Sequence, residues 1–232
     1  MTDETQVVKK AASPIRDGNP EPRIHCVLVL DTSGSMFGDK IDELNRALPI
    51  VPSELLKDEL AASRVEVAIV TCGGGVHVVQ DFKPPSKLTM PELVASGDTP
   101  LGAALLKAYD ISDEQHARYE ASDLDSYERW IVAITDSEAT DSPEVIASTI
   151  QRIREGEGRQ RGKRILFHAV GVEGANMEKL AQFSKRPPLK LRGLQFSQLF
   201  RWVSASLKRV TQSQVGDKVF VPDPKGYGLV GL

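Results

Sequence analysis

The chain is poor in several features, and each scarcity removes a class of function. No apolar stretch approaches the roughly 20 residues that a membrane-spanning helix needs, and the polar, acidic start Met1-Thr2-Asp3-Glu4 has no signal-like apolar core. No membrane partner and a cytoplasmic location are therefore expected. Cysteine is scarce, with Cys26 and Cys72 the only two, too few for a disulfide framework. They fall near the start of one predicted strand and at the end of another. If those strands run parallel, several residues at roughly 3.3 Å each separate them, so reduced core thiols are expected. Neither sign of charge dominates: 29 Lys and Arg stand against 32 Asp and Glu, a net charge of −3. Nucleic-acid binding usually needs a concentrated basic face, and none is expected here. One basic cluster, Arg159 to Arg164, lies between a predicted helix and a predicted strand and reads as a solvated loop.

What is present suits one α/β domain with tails: 232 residues, 41% of them hydrophobic, can bury a single substantial core. Residues 1–23 are rich in charge, Pro and Gly without periodicity and read as a flexible N-terminal arm. Residues 24–30 form a nearly continuous apolar run, as expected of a central strand buried on both faces. Ile41, Leu44, Leu48, Val51 and Leu55 share one helix face, interrupted by Pro49 and Pro52, which predicts a kink or two short helices. Residues 64–71 alternate as a half-buried strand does, and Gly73-Gly74-Gly75 turns the chain into an antiparallel edge strand over 76–82. Pro91-Glu92 reads as the start of a short helix, and Pro100 as the first turn of a longer one.

Residues 130–135 predict a further buried strand, and Ser142-Pro143-Glu144 the start of another helix. A strand over 165–172, a short helix over 177–184, a short strand over 189–191 and an amphipathic helix over 196–210 follow. The main domain then spans 24–212, and 213–232 is an extended C-terminal tail. Strands alternating with helices predict a doubly wound, mostly parallel central sheet with one antiparallel edge strand and helices on both faces.

In such folds ligands sit at the carboxyl ends of the strands. Three oxygen-bearing loops fall there: Asp31-Thr32-Ser33-Gly34-Ser35, Ser96-Gly97-Asp98-Thr99-Pro100 and Thr135-Asp136-Ser137. The donor types suit a hard cation, which prefers six oxygens and leaves a place for an incoming group. Ser33, Ser35 and Thr99 supply neutral hydroxyls, and Asp31 and Asp136 supply negative charge directly or through metal-bound waters. A cation held mainly by hydroxyls keeps its charge and attracts a partner's carboxylate, which is binding rather than hydrolysis. Asp98 and Ser137 lie beside these positions and read as support or rim. Glu138, Asp141 and Asp39 add acidity to the rim, and the four histidines fall outside the three loops.

The pattern resembles the von Willebrand factor type A (VWA) domain and its metal-ion-dependent adhesion site (MIDAS). The Asp-x-Ser-x-Ser motif matches Asp31, Ser33 and Ser35, the separate Thr matches Thr99 and the later Asp matches Asp136. The resemblance implies a Rossmann-like α/β fold, a bound Mg²⁺ or another divalent cation, and a protein partner that supplies an Asp or Glu. Within the family, Val29-Leu30-Asp31-Thr32-Ser33-Gly34-Ser35-Met36, Asp98 to Leu105 and Lys218 to Pro222 are similar to bacterial TerY-type proteins linked to tellurium resistance. That likeness implies a protein kinase and a PP2C-type phosphatase as partners. One departure is Ser137, where the family commonly has Gly.

Two other functions compete. A Mg²⁺-dependent aspartyl phosphatase using Asp31 needs a second acid two residues on, where Ser33 stands. A scaffold would bind through the tail around Val219-Phe220-Val221-Pro222, which could equally pack back on its own sheet. A non-enzymatic binding module is the expectation.

Overall fold

The computed structural model describes residues 12–15, 17–160 and 163–231. Much of the expected N-terminal arm and residues 161 and 162 of the basic cluster lie outside the described residues. The apolar runs become strands: β1 Ile24–Asp31, β2 Val65–Cys72, β3 Val76–Lys83, β4 Arg129–Thr135, β5 Ile165–Gly171, β6 Leu189–Leu191 and β7 Leu229–Gly231. They form one sheet in the order β3-β2-β1-β4-β5-β6-β7. The inner pairings are all parallel, with β3 antiparallel on β2 and β7 antiparallel on β6. The doubly wound architecture holds, but the single antiparallel edge strand is corrected to two. A three-residue strand beyond a Pro- and Gly-rich tail carries too little alternation to be read as one.

Side chains alternate across β1. Cys26, Leu28 and Leu30 face α1 (Asp39–Ala47), α2 (Ile50–Leu55) and α7 (Phe196–Thr211), while Val27 and Val29 face α4 (Leu101–Glu120), α5 (Pro143–Gly158) and α6 (Met177–Ala181). The proline-interrupted segment is thus two helices, and a third, α3 (Glu59–Arg64), follows, started by the Asp58 carboxylate accepting from Ala61 N. β2 is buried along its whole length rather than on one face. Its one charged member, Glu66, lies under α4, where it accepts from Gln115 Nε2 at 2.7 Å and from the Tyr119 hydroxyl.

The helix expected at Pro91 is absent. Residues 91–96 have no regular structure, because Asn45 takes the backbone of Leu93 at both ends: Leu93 N donates to Asn45 Oδ1 at 2.8 Å and Asn45 Nδ2 donates to Leu93 O at 2.9 Å. That pairing supplies what a helix would have supplied.

At the amino ends of the strands, Arg129 is buried and paired with Asp113 at 2.6 Å, and Arg152 and Arg159 meet the same carboxylate, each at 2.9 Å. Arg159 and Arg164, the latter paired with Glu128 at 2.6 Å, are therefore not simply a solvated loop. Trp130, His168 and Trp202 cluster on the α7 face, His168 lying 4.9 and 5.3 Å from the two indoles. Burial holds the His168 pKa down at about 3. The C-terminal segment packs back on the molecule: Trp202 Nε1 donates to Pro222 O at 3.0 Å, and Leu229 in β7 is buried. Both cysteines are buried and free, and burial raises both thiol pKa values, that of Cys26 to about 12.

Candidate metal centre

β1 is the point where the strand order reverses, β2 lying on one side and β4 on the other. The crevice beyond its carboxyl end is where such sheets bind ligands. Asp31 ends β1 and Thr135 ends the adjacent β4, so Asp31 and Asp136 open neighbouring loops of that crevice. Asp31 is buried and fully engaged. Oδ1 accepts from Ser33 N at 2.8 Å, and Oδ2 accepts from the Thr135 hydroxyl and from Ser137 Oγ at 3.1 Å.

The other carboxylate organises a second string. Ser35 Oγ donates to Asp136 Oδ1 at 2.6 Å, and Ser33 Oγ lies 3.0 Å from Ser35 Oγ. Thr99 arrives from the loop before α4, with Oγ1 2.8 Å from Ser137 Oγ. Asp31, Ser33, Ser35, Thr99 and Asp136 are therefore joined into one hydrogen-bonded cluster. Ser137, read from sequence as support or rim, sits inside it, bridging Thr99 and Asp31. Asp98 does not enter: its side chain is exposed and it contributes its carbonyl, which accepts from Gly74 N at 3.2 Å.

Asp141, a rim acid by sequence, caps a helix. Its two carboxylate oxygens accept from Gly102 N and Ala103 N at 2.8 and 2.9 Å, capping α4 from the other side of the crevice. An acid at a helix start neutralises unpaired N–H groups and suits the dipole. The same helix start fixes Thr99. The signal was there in the Asp141-Ser142-Pro143 stretch, but the partner helix lies about 40 residues away in sequence and could not be read from it.

Backbone bonds tie the first two loops to each other and to the glycine turn after β2. Thr32 N donates to Cys72 O, Ser96 N to Thr32 O and Gly34 N to Gly97 O, each at 2.8–2.9 Å. The seam needs glycine. Gly97 has φ +67°, and a Cβ there would lie 2.4 Å from Gly74 Cα; a Cβ on Gly73 would lie 2.1 Å from Thr32 O. Gly97→Ala is expected to lower stability by about 1–3 kcal/mol, through both strain and overpacking, and to weaken cation binding as Thr99 shifts. Thermal unfolding and a Mn²⁺ titration measure the two effects, and a variant indistinguishable from wild type in both would refute the role given to the seam.

The donor set fits a hard cation. Adjacent corners of a Mg²⁺ octahedron, with ligands at about 2.1 Å, lie about 3.0 Å apart, and the Ser33 and Ser35 hydroxyls stand at 3.0 Å. No group of three or more His, Cys, Asp or Glu able to hold a metal occurs among the described residues. Two carboxylates with hydroxyls, and no thiolate or imidazole, favour Mg²⁺-like ions over softer ones.

A side chain the sequence did not single out completes the cluster. Lys40, in the first turn of α1, donates to Asp136 Oδ2.

The model of the von Willebrand factor type A domain matches residues 26–198, and with it all three loops. This chain belongs to the VWA family. Solved structures of similar fold include proximal thread matrix protein 1 from the mussel byssus, at 14% identity over 82% of this chain and 49% of that one, with a TM-score of 0.56. The ArnB paralog VWA2 from Sulfolobus acidocaldarius matches at 16% identity over 80% and 45%, with a TM-score of 0.52. The pilus adhesin SpaC from Lactobacillus rhamnosus GG matches at 11% identity over 84% and 31%, with a TM-score of 0.62. The mussel protein has also been solved with a zinc-occupied MIDAS motif. This VWA chain spans half or less of the length of these three proteins. A search of curated proteins finds no match. No helix among the described residues is long and apolar enough to cross a membrane.

Proposed function

We propose that this VWA domain is a non-enzymatic module that grips a partner protein through a divalent cation, Mg²⁺ in the cell, held by Ser33, Ser35 and Thr99 with Asp31 and Asp136 behind them. The observation that carries the reading is the convergence of three hydroxyls and two carboxylates at the switch point of the sheet. When bound, the cation supplies a Lewis-acidic position to which an Asp or Glu of the partner attaches. The chain's own residues do the rest. Asp31 aligns Ser33 through its backbone N–H and holds Thr135 and Ser137 in place. Asp136 orients Ser35. The first two loops, tied by backbone bonds, and the segment after Asp136, joined to them where Thr140 N donates to Thr99 O at 2.9 Å, keep the donors in position before any partner arrives.

Phosphatase chemistry through Asp31 lacks its acid. The groups on the Asp31 carboxylate are a backbone N–H and two hydroxyls, none able to protonate a leaving group as a second carboxylic acid does. The similarity to TerY-type proteins extends the proposal to a kinase or PP2C-type phosphatase as the gripped partner, in a tellurium-resistance setting. The reduced, buried thiols suit a cytoplasmic location.

Tail docking remains the second reading, because Phe220 stands 75% exposed with the Lys218 ammonium 5.1 Å from its ring centroid. One capture experiment separates the two. Wild type, Thr99→Ala and Phe220→Ala are used to capture partners with Mg²⁺ and with EDTA, read by mass spectrometry. Thr99→Ala loses one hydroxyl whose hydrogen bond is to Ser137, so it should fold at a cost of about 1 kcal/mol yet lose the Mg²⁺-dependent partner. Retention by Thr99→Ala in EDTA together with loss by Phe220→Ala would transfer the function to the tail.

A further inference from the structure

Lys40 occupies a position that its own helix disfavours. It is the second residue of α1, where the positive end of the helix dipole weakly disfavours a cation, so a nearby anion is what offsets its charge. That anion is the Asp136 carboxylate. Lys40 Nζ donates to Asp136 Oδ2 and lies 3.4 Å from Ser35 O. The Asp136 side chain is 0% exposed and Lys40 is 25% exposed, so the pair closes the rim of the cluster from the α1 side. The loop after β5 comes down over it: a Cβ built on Gly174 would lie 3.0 Å from Asp136 O and 3.7 Å from Lys40 Nζ. Among the described residues, no other Lys, Arg or His pairs with Asp31 or Asp136.

A buried carboxylate without a counter-charge is costly, and Lys40 meets that need from within the chain. The same ammonium stands against the second site carboxylate, where a divalent ion would draw on the same negative charge. Two cations sharing one carboxylate repel each other strongly in a site shielded from water. We propose that Lys40 is a resident counter-ion that competes with the divalent cation for Asp136, holding cation affinity down and swinging out to the rim when the cation is loaded. There its ammonium becomes a second contact for an acidic partner. Loading thereby converts one internal salt bridge into two partner-facing positive charges. The inference rests on the metal reading given above and concerns the regulation of that same site.

The test uses the full chain and the cations alone. Lysine reactivity towards an amine acylating reagent is measured residue by residue by mass spectrometry, in EDTA and in saturating Mn²⁺ or Mg²⁺. Lys40 should react at least about threefold faster with cation, while Lys57, 62% exposed on the surface, stays unchanged. Calorimetric Mn²⁺ titration of Lys40→Met should show binding about tenfold tighter than wild type, although its melting temperature in EDTA is lower. Lys40→Arg, which keeps the charge, should bind close to wild type. A merely structural lysine would give destabilisation without tighter binding. Wild-type binding with Lys40 reactivity indifferent to cation, or Lys40→Met binding no tighter, overturns the inference and leaves the metal reading standing. A flat titration of wild type overturns both. If Lys40→Met fails to fold, the labelling of the wild type decides alone.

Discussion

Asp31→Ala is expected to abolish cation binding, weakening Mn²⁺ affinity by at least about 100-fold, while leaving a folded protein. The carboxylate carries one of the site's two negative charges and is the acceptor for Ser33 N, the Thr135 hydroxyl and Ser137 Oγ. Its removal takes away the charge and releases two of the hydroxyls that set the cluster's geometry. Hydroxyls can turn to other acceptors, but Ser33 N cannot, so the stability cost should be about 1–3 kcal/mol. Asp31→Asn keeps an acceptor oxygen and should recover part of the stability but none of the binding. Calorimetric titration and thermal unfolding in EDTA report the two quantities separately. Wild-type affinity in Asp31→Ala would remove the carboxylate, and with it this description of the site, from the metal reading.

The largest stability effect lies at the opposite end of the sheet. Asp113→Ala should cost about 3 kcal/mol or more, because it strands the buried guanidinium of Arg129 without its carboxylate and leaves Arg152 and Arg159 facing it. Burial by itself would raise the Asp113 pKa, but hydrogen bonds from Arg159 and Arg129 and their charges outweigh it and hold the carboxyl well below the usual range. A group with a depressed folded pKa stabilises the fold fully above its unfolded pKa of about 3.9, and the contribution is lost as pH falls through the folded value. Wild type should therefore lose stability below about pH 4, and Asp113→Asn should show a shallower slope there while being less stable at pH 7. Denaturant unfolding between pH 2 and 7 measures both. Cation binding at pH 7 should be unaffected, since this network and the candidate metal centre occupy opposite ends of the strands.

The same polarity explains how much could be read from the sequence. Strands buried on both faces are written as apolar runs, so the residues where the runs stop, Asp31 and Asp136, mark the carboxyl edge of the sheet where the candidate site lies. Thr99 was legible because Thr-Pro-Leu-Gly marks the start of a helix whose end must face the same edge. Lys40 was not legible: a lysine in a helix normally reads as a solvated charge, and its partner is 96 residues away. Asp141 was misplaced for a similar reason, its cap belonging to a helix that precedes it. The helix at Pro91 failed because a proline at a helix start is a local signal, and Asn45 overrode it with long-range hydrogen bonds. The second antiparallel edge strand is three residues long and held by pairing with β6 rather than by any pattern of its own. Elements and positions in the candidate cluster fixed by local pattern were readable, and those fixed by distant partners were not.

The Trp130–His168–Trp202 cluster has an optical consequence. Trp130 is the second residue of β4, so about 20 Å of extended strand separate it from Asp136 at roughly 3.3 Å per residue. Trp202 packs beside it, 6.3 Å between ring centroids, and His168, in contact with both rings, is neutral at any pH well above 3. The chain's two indoles thus form one shielded emitter remote from the candidate metal centre. Their fluorescence should follow global unfolding with little interference from histidine titration and be almost blind to cation loading. A tryptophan placed at Phe37, 81% exposed beside Ser35, would add a second emitter at the other pole, letting one sample report folding and occupancy in separate spectral components.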